Sequence, residues 1–331
     1  MNRCPRFGRV DILHKKLINM EKHWLIKKVC SILMKNMLMS LLLCMCTVSY
    51  AQTVVEPLLK AHWCQTDPFN QMCFISDSAE EKRTAAAGCG AVAVGQILQL
   101  YKAPSHGFGF LNTQEGKIDD FGARNIDWQN ILFVYKSGQF STDEATAVAN
   151  LINMVGLSMN MQYGASSSPK NSGSMMWGLQ HHLHLSPTSR YLHRRNFTTK
   201  EWKDMIDQQL VAGHPVVYRG TYHNQDNNAY GHMYVIDGKN AEGLYHVCFG
   251  YPSTSYDKYV DLDYLNLSNG DDIYPGGKPI FYNCEQAMIV NCFPVDGLTD
   301  EDLSAHIAAA LMSLVQFFGQ TTGNGVMKTD E

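Results

Sequence analysis

Apolar residues in the first half of the chain recur at helical spacing, whereas in the second half they gather in short runs broken by Gly, Asn and Asp. Ala91 to Tyr101 is apolar almost throughout, the pattern of a helix covered on all sides. Ala147, Val148, Leu151, Ile152 and Val155 repeat at three- and four-residue steps and predict a second helix from Asp143 to Leu157. Thr199-Lys200-Glu201-Trp202 has the form of a capping box, opening a helix that runs to Ala212 and stops at Gly213. After Pro215, strands are expected at Val216 to Tyr218, Met233 to Ile236, Leu244 to Phe249, Tyr259 to Leu262 and Ala287 to Cys292. Helices first and strands afterwards predict an α+β protein, a helical N-terminal lobe packed against an antiparallel sheet or barrel lobe.

Composition then divides the chain. Lys27, Lys28 and Lys35 precede the apolar stretch Met37 to Val48, and Ser49-Tyr50-Ala51 offers small residues for cleavage before Gln52. Such a stretch is too short to span a bilayer and reads as a signal peptide over residues 1–51, with a true start at Met20 or later. A lipid anchor on Cys44 or Cys46 is the rival reading, opposed by bulky Leu43 and Met45. Export would make the rest a bacterial secreted, periplasmic or cell-surface protein. Residues 52–331 carry 18 Lys and Arg against 29 Asp and Glu, a net charge of −11, which argues against nucleic acid and anionic lipid as partners. Residues 52–297 are enough for one large monomeric domain. Residues 298–331 would add an amphipathic helix through Leu303, Ile307, Leu311, Leu314 and Phe318, then a disordered tail.

Two residues suggest chemistry. Cys89 sits in Gly88-Cys89-Gly90 at the head of the first helix, where unpaired N–H groups and the helix dipole favour thiolate over thiol. His232 follows 143 residues later in Gly231-His232-Met233-Tyr234, at the start of a strand that would hold an imidazole rigidly. A cysteine on an apolar helix is ordinarily an inert core residue, and this spacing alone does not displace that reading.

Further segments do. Glu56 to Asn70 with Gln65, Gly88-Cys89 through Pro104, Ile126-Asp127-Trp128, Met161 to Ser167, Trp202 with Gly213 to Tyr218, and Tyr282 to Ala287 before Pro294 together resemble the streptopain family of papain-like cysteine peptidases. The resemblance runs from Glu56 to Pro294. It implies a papain-like two-lobe fold, Cys89 as nucleophile, His232 as base, and Gln65 as an oxyanion-hole donor. It further implies a substrate cleft near Gly231, Phe249, Tyr251, Ser166 and Ser167, extracellular peptides or proteins as substrates, and no cofactor or metal. Only a few residues separate Gln52 from the Glu56 opening, so a long inhibitory propeptide is not expected.

One departure bears on activity. Where the family reads His-Val-Asn-Trp-Gly-Trp-Gly-Gly, this chain reads His246-Val247-Cys248-Phe249-Gly250-Tyr251-Pro252-Ser253, placing Cys248 at the position of the asparagine that orients the imidazole. Losing an orienting carboxylate in a Ser-His-Asp site costs about 10⁴ in turnover. A thiolate-imidazolium pair already favours the needed protonation, so a smaller loss is expected here. Cys248 is a passive replacement, a disulfide partner of Cys89, a soft metal ligand beside Cys89 and His232, or a weak hydrogen-bond partner of the imidazole. The alternative function is therefore an exported pseudopeptidase that binds peptides or proteins without cutting them. Acyl transfer to an amine instead of water would use the same residues.

Other features carry less. Among the six cysteines after the leader, Cys64 with Cys73 is the first candidate bridge and Cys284 with Cys292 a weaker one, against free thiols for both pairs. His181-His182-Leu183-His184 lacks the Glu-x-x-His arrangement of a metal helix and reads as a solvated segment. Gly107-Phe108-Gly109-Phe110 lacks a phosphate-loop lysine, and no nucleophile elbow surrounds Ser166-Ser167-Ser168.

Overall fold

The computed structural model describes residues 54–75, 84–112, 118–164, 167–169, 171–224, 226–265 and 281–295. The leader and the 298–331 segment lie outside them. Four helices are described: α1 (Cys89–Tyr101), α2 (Thr142–Ser158), α3 (Ser172–His182) and α4 (Thr199–Val211). Short strands β1 (Phe110–Asn112) and β2 (Ile118–Asp120) form one antiparallel pair, and β3 (Met161–Gln162) and β4 (Ser168–Pro169) another. The remaining strands are β5 (Arg190–His193), β6 (Val216–His223), β7 (Ala229–Lys239), β8 (Tyr245–Cys248), β9 (Lys258–Val260) and β10 (Cys284–Val290). These six build one antiparallel sheet in the order β5-β10-β6-β7-β8-β9.

The central strands are apolar on successive residues because both faces of the sheet are covered. Val217, Val235 and Ile289 face a core shared with α1 and α2, while Val216, Tyr218, Tyr234, Ile236 and Met288 face a second core closed by Trp202, Ile206 and Leu210 of α4. That is why Val216-Val217-Tyr218 and Met233 to Ile236 show no polar alternation. Every residue of α1 from Gly90 to Gln99 is buried, as its uniform apolarity requires.

Local signals explain the element ends. Ser141 and Glu144 form a reciprocal capping box on α2. On α4 the box is Thr198 with Glu201, one residue earlier than the sequence pattern suggested, because Thr198 adopts the extended backbone of a cap and Thr199 is already helical. Helix α3 was not foreseen: its two glycines and five polar residues hide the periodicity, and its cap is Asn171, which accepts a hydrogen bond from Ser174 N–H. Strands β6 and β7 extend well beyond their apolar runs, pairing His223 with Ala229 at their far end.

Residues 55–65 form a strap across the sheet. Val55 exchanges both backbone hydrogen bonds with Lys239 at 2.8 Å, Leu58 N–H bonds Asp237 O at 3.0 Å, and His62 N–H bonds Phe133 O at 2.8 Å. The strap ends at Gln65, whose carbonyl accepts Ala87 N–H at 2.9 Å, two residues before Cys89.

Candidate active site

Cys89 begins α1 because Gly88 turns the chain there with φ of 88°, in the left-handed region. A side chain at Gly88 would also meet the Met161 methyl at 2.8 Å, a contact from which that flexible side chain would have to yield, so it is the backbone angle that calls for glycine. The turn aims the sulfur at β7, where Met233 N–H donates to Cys89 Sγ at 3.3 Å. His232, the preceding residue on β7, hydrogen-bonds the same sulfur. Burial pushes the Cys89 thiol up, yet the hydrogen bond and charge of His232, with the N–H groups of Met233 and Gly90, bring it below the usual thiol value.

The imidazole is fixed from behind. Its Nε2 lies 2.7 Å from Phe249 O, and a carbonyl only accepts, so Nε2 carries the proton and Nδ1 is left for Cys89. Tyr251 stacks on the ring with centroids 4.9 Å apart and planes 6° apart, and Tyr282 packs at 5.4 Å.

The orienting contact to His232 thus comes from the main chain of Phe249 and leaves Cys248 out. The Cys248 thiol donates to Gln96 Oε1 at 3.4 Å, and burial together with the charges of Asp257 and Asp237 keeps it protonated. It forms no disulfide with Cys89: Cys89 and Cys248 both stand as free thiols. Its neighbours are His62 and Asp257, whose ligand atoms lie within 4.8 Å of its sulfur and of one another. Within that group His62 Nδ1 meets Asp257 Oδ2 at 2.6 Å.

Asp257 was not identified from sequence, and it braces the whole arrangement. Its Oδ1 accepts Phe249 N–H at 3.1 Å while Oδ2 holds His62 of the strap. A chain of contacts therefore runs from the strap through Asp257 and the Phe249 peptide to His232. Burial lowers the pKa of His62, but the hydrogen bond and charge of Asp257 outweigh it and raise it overall. His62 stood beside the Trp63 to Gln65 motif; nothing in the sequence marked Asp257.

Cys89, Gly231 and His232 open onto a cleft of about 570 Å³, also lined by Ser167, Met175, Tyr191, His193 and Arg219. Gly231 and Ser167 line this cleft; Ser166 lies outside the described residues. Phe249 is fully buried and supports the imidazole from behind, so its assignment to the substrate cleft is corrected. Tyr251, flat against the ring, does the same. Gln65 is half-buried at the strap end.

Secondary candidates also resolve. Cys64, Cys73, Cys284 and Cys292 are free, so neither expected bridge forms. Cys64 Sγ pairs instead with Thr66 Oγ1 at 3.3 Å, Cys73 is buried in the core, and strand β10 holds Cys284 and Cys292 apart. His181, His182 and His184 take separate partners, Trp177 O, Phe108 O and the Phe108 ring. His182 is buried rather than solvated, because α3 packs it against the loop before β1.

The sequence profile of the peptidase C10 family matches residues 63–259, from the strap to β9, the second strand after the histidine-bearing β7. The chain belongs to the peptidase C10 family. Streptopain of Streptococcus pyogenes is 28% identical over 268 residues, covering 75% of this chain and 65% of that protein. The chain thus spans just under two thirds of the streptopain it matches. The thiol protease/hemagglutinin PrtT of Porphyromonas gingivalis is 29% identical over 246 residues, 72% of this chain and 26% of that protein. Active wild-type interpain A, a cysteine protease of Prevotella intermedia, superposes with a TM-score of 0.63 at 30% identity, covering 74% of this C10 chain and 97% of that one. The mixed architecture, helical lobe against antiparallel sheet, is that of papain-like cysteine proteases.

Proposed function

We propose that this C10 protein is an exported cysteine endopeptidase that hydrolyses peptide bonds of extracellular proteins. The observation that carries the reading is the pairing of a thiol of lowered pKa with an imidazole whose Nε2 proton is committed to Phe249 O, at the edge of an open cleft. The Cys89 thiolate attacks the peptide carbonyl, and the backbone N–H of Cys89 with the Gln65 side chain stabilises the oxyanion. His232 protonates the departing amine from Nδ1, then takes a proton from the water that cleaves the thioester. Gln65 is suited to its part because its backbone is tied to the loop leading into Cys89. The replacement of the family asparagine by Cys248 leaves this mechanism intact, since the orienting contact is made by a peptide carbonyl. That favours the enzyme over the pseudopeptidase. Export rests on the leader pattern, and no helix among the described residues is long and apolar enough to cross a membrane.

The test is alkylation of the reduced full chain by a peptidyl epoxide, with the modified residue mapped by mass spectrometry. Labelling confined to Cys89 and lost in His232→Ala supports the reading. An unlabelled Cys89 in folded protein would give the cleft to peptide binding without cleavage.

A further inference from the structure

One wall of the cleft carries a cation that the mechanism does not use. Arg219 on β6 pairs in register with Met233 and leans toward Gly231, the residue before His232. A Cβ placed on Gly231 would sit 3.2 Å from Arg219 Nη2 and 3.6 Å from Nε, so the guanidinium occupies the space that the missing side chain leaves. Nη1 donates to Glu285 O at 3.2 Å. The carboxylate of Glu285 is a weak counterion: it stands 4.0 Å from Nη2, is 62% exposed, and accepts from Thr221 Oγ1 as well.

The surroundings sharpen the point. Tyr191 and His193 of β5 flank Arg219 along the same cleft. Burial lowers the pKa of His193, and the charges of Arg195 and Arg219 lower it further, so it stands as a neutral hydrogen-bonding group at pH 7. None of the described residues lining the cleft is Asp or Glu. A positively charged wall therefore faces the reacting pair in a chain whose residues 52–331 carry a net charge of −11. Tyr191 contacts the same side chain, yet the Nε/Nη2 edge lies toward Gly231 and its carboxylate partner is distant and exposed, a setting suited to a carboxylate gripped through two parallel hydrogen bonds.

We infer that Arg219 makes this cleft select peptides with an acidic side chain close to the cleaved bond. The inference rests on the peptidase reading for turnover, though not for binding. Two measurements separate them. First, the native full chain is given fluorogenic peptides in which each of three positions on either side of the cleaved bond is Glu, Gln or Lys in turn. At one position kcat/KM for Glu should exceed that for Gln by about tenfold, the range of a charge-assisted hydrogen bond. The ratio should fall to about one in Arg219→Gln and favour Lys in Arg219→Glu. Each ratio is internal to one protein, so a loss of folded fraction cancels. Second, calorimetric binding of the same peptides to Cys89→Ala gives the Glu-to-Gln affinity ratio without turnover. A ratio within twofold at every position in both measurements, or an acidic preference that survives in Arg219→Gln, would overturn the inference. Binding that favours Glu through Arg219 while the native chain cuts no peptide would uphold it and overturn the peptidase reading instead.

Discussion

Two His-Asp pairs hold the strap to the sheet, and they differ in what lies beyond them. His246 Nδ1 meets Asp237 Oδ1 at 2.6 Å, and Asp237 Oδ2 accepts Leu59 N–H at 2.9 Å. His62 Nδ1 meets Asp257 Oδ2 at the same 2.6 Å, and Asp257 Oδ1 accepts Phe249 N–H. The first pair ends in the strap; the second continues through the Phe249 peptide to His232. Equal geometry therefore gives unequal consequences, because position relative to the imidazole decides whether a buried carboxylate serves stability alone or stability and turnover together.

The comparison breaks most sharply in a pair of substitutions. Asp257→Asn should lower kcat by about 10- to 100-fold with KM little changed, less than the ~10⁴ for a carboxylate bonded directly to the histidine. Asp237→Asn should leave kcat within about threefold while costing stability on the order of 1–3 kcal/mol. Steady-state kinetics and urea unfolding of both variants measure this, and equal losses of kcat would end the distinction.

The pH dependence of reactivity comes next. With its pKa lowered by His232 against the pull of burial, Cys89 should alkylate rapidly below the ordinary thiol range. In His232→Ala burial is opposed only by the Met233 and Gly90 N–H groups, so the midpoint of the alkylation rate should move up toward or past about 8.5, the ordinary thiol value. An unmoved midpoint would remove His232 as the activating partner.

Stability should respond to pH through both pairs. The pKa of His246, like that of His62, is lowered by burial and raised more by its aspartate. A histidine with a raised folded pKa contributes stability that is fully present below its unfolded value, about 6.5, and is lost as pH climbs through the folded one. The melting temperature should accordingly decline from about pH 6 toward pH 8, with a shallower slope in His62→Asn and in His246→Asn. A flat profile in the native chain would contradict it.

The smallest effect is expected at the residue that looked most consequential. Cys248→Ala should cost about 1–2 kcal/mol of stability through its lost contacts and the lost bond to Gln96, and change kcat by less than about threefold. A hundredfold fall in kcat would mean that the Cys248 side chain, rather than Phe249 O, orients the imidazole.

These contrasts also explain what could be read from the chain beforehand. The buried helix α1, helix α2 and the central strands announced themselves through their apolar patterns and α4 through its capping residues, while Cys89 and His232 stood out only once further segments resembled a known family. Helix α3 did not, since Ser172-Gly173-Ser174 and Gly178 interrupt its apolar face. Asp257 stayed hidden for a deeper reason: its link to His232 passes through a peptide group, and peptide groups are the same at every position. Phe249 was read by its ring and placed in the cleft; its role lies in its backbone. Arg219 was invisible because its importance depends on a missing side chain opposite, at Gly231.

Support from a main-chain oxygen has one more consequence, for how the protein tolerates change over generations. A side-chain brace disappears with a single codon, whereas the Phe249 carbonyl persists whatever residue is encoded there. Mutation reaches it only by altering the path of the turn. Selection is thereby relaxed at the family's asparagine position and moved to the aspartate nine residues on, so a lineage is able to lose the familiar third residue of the site and keep its working geometry.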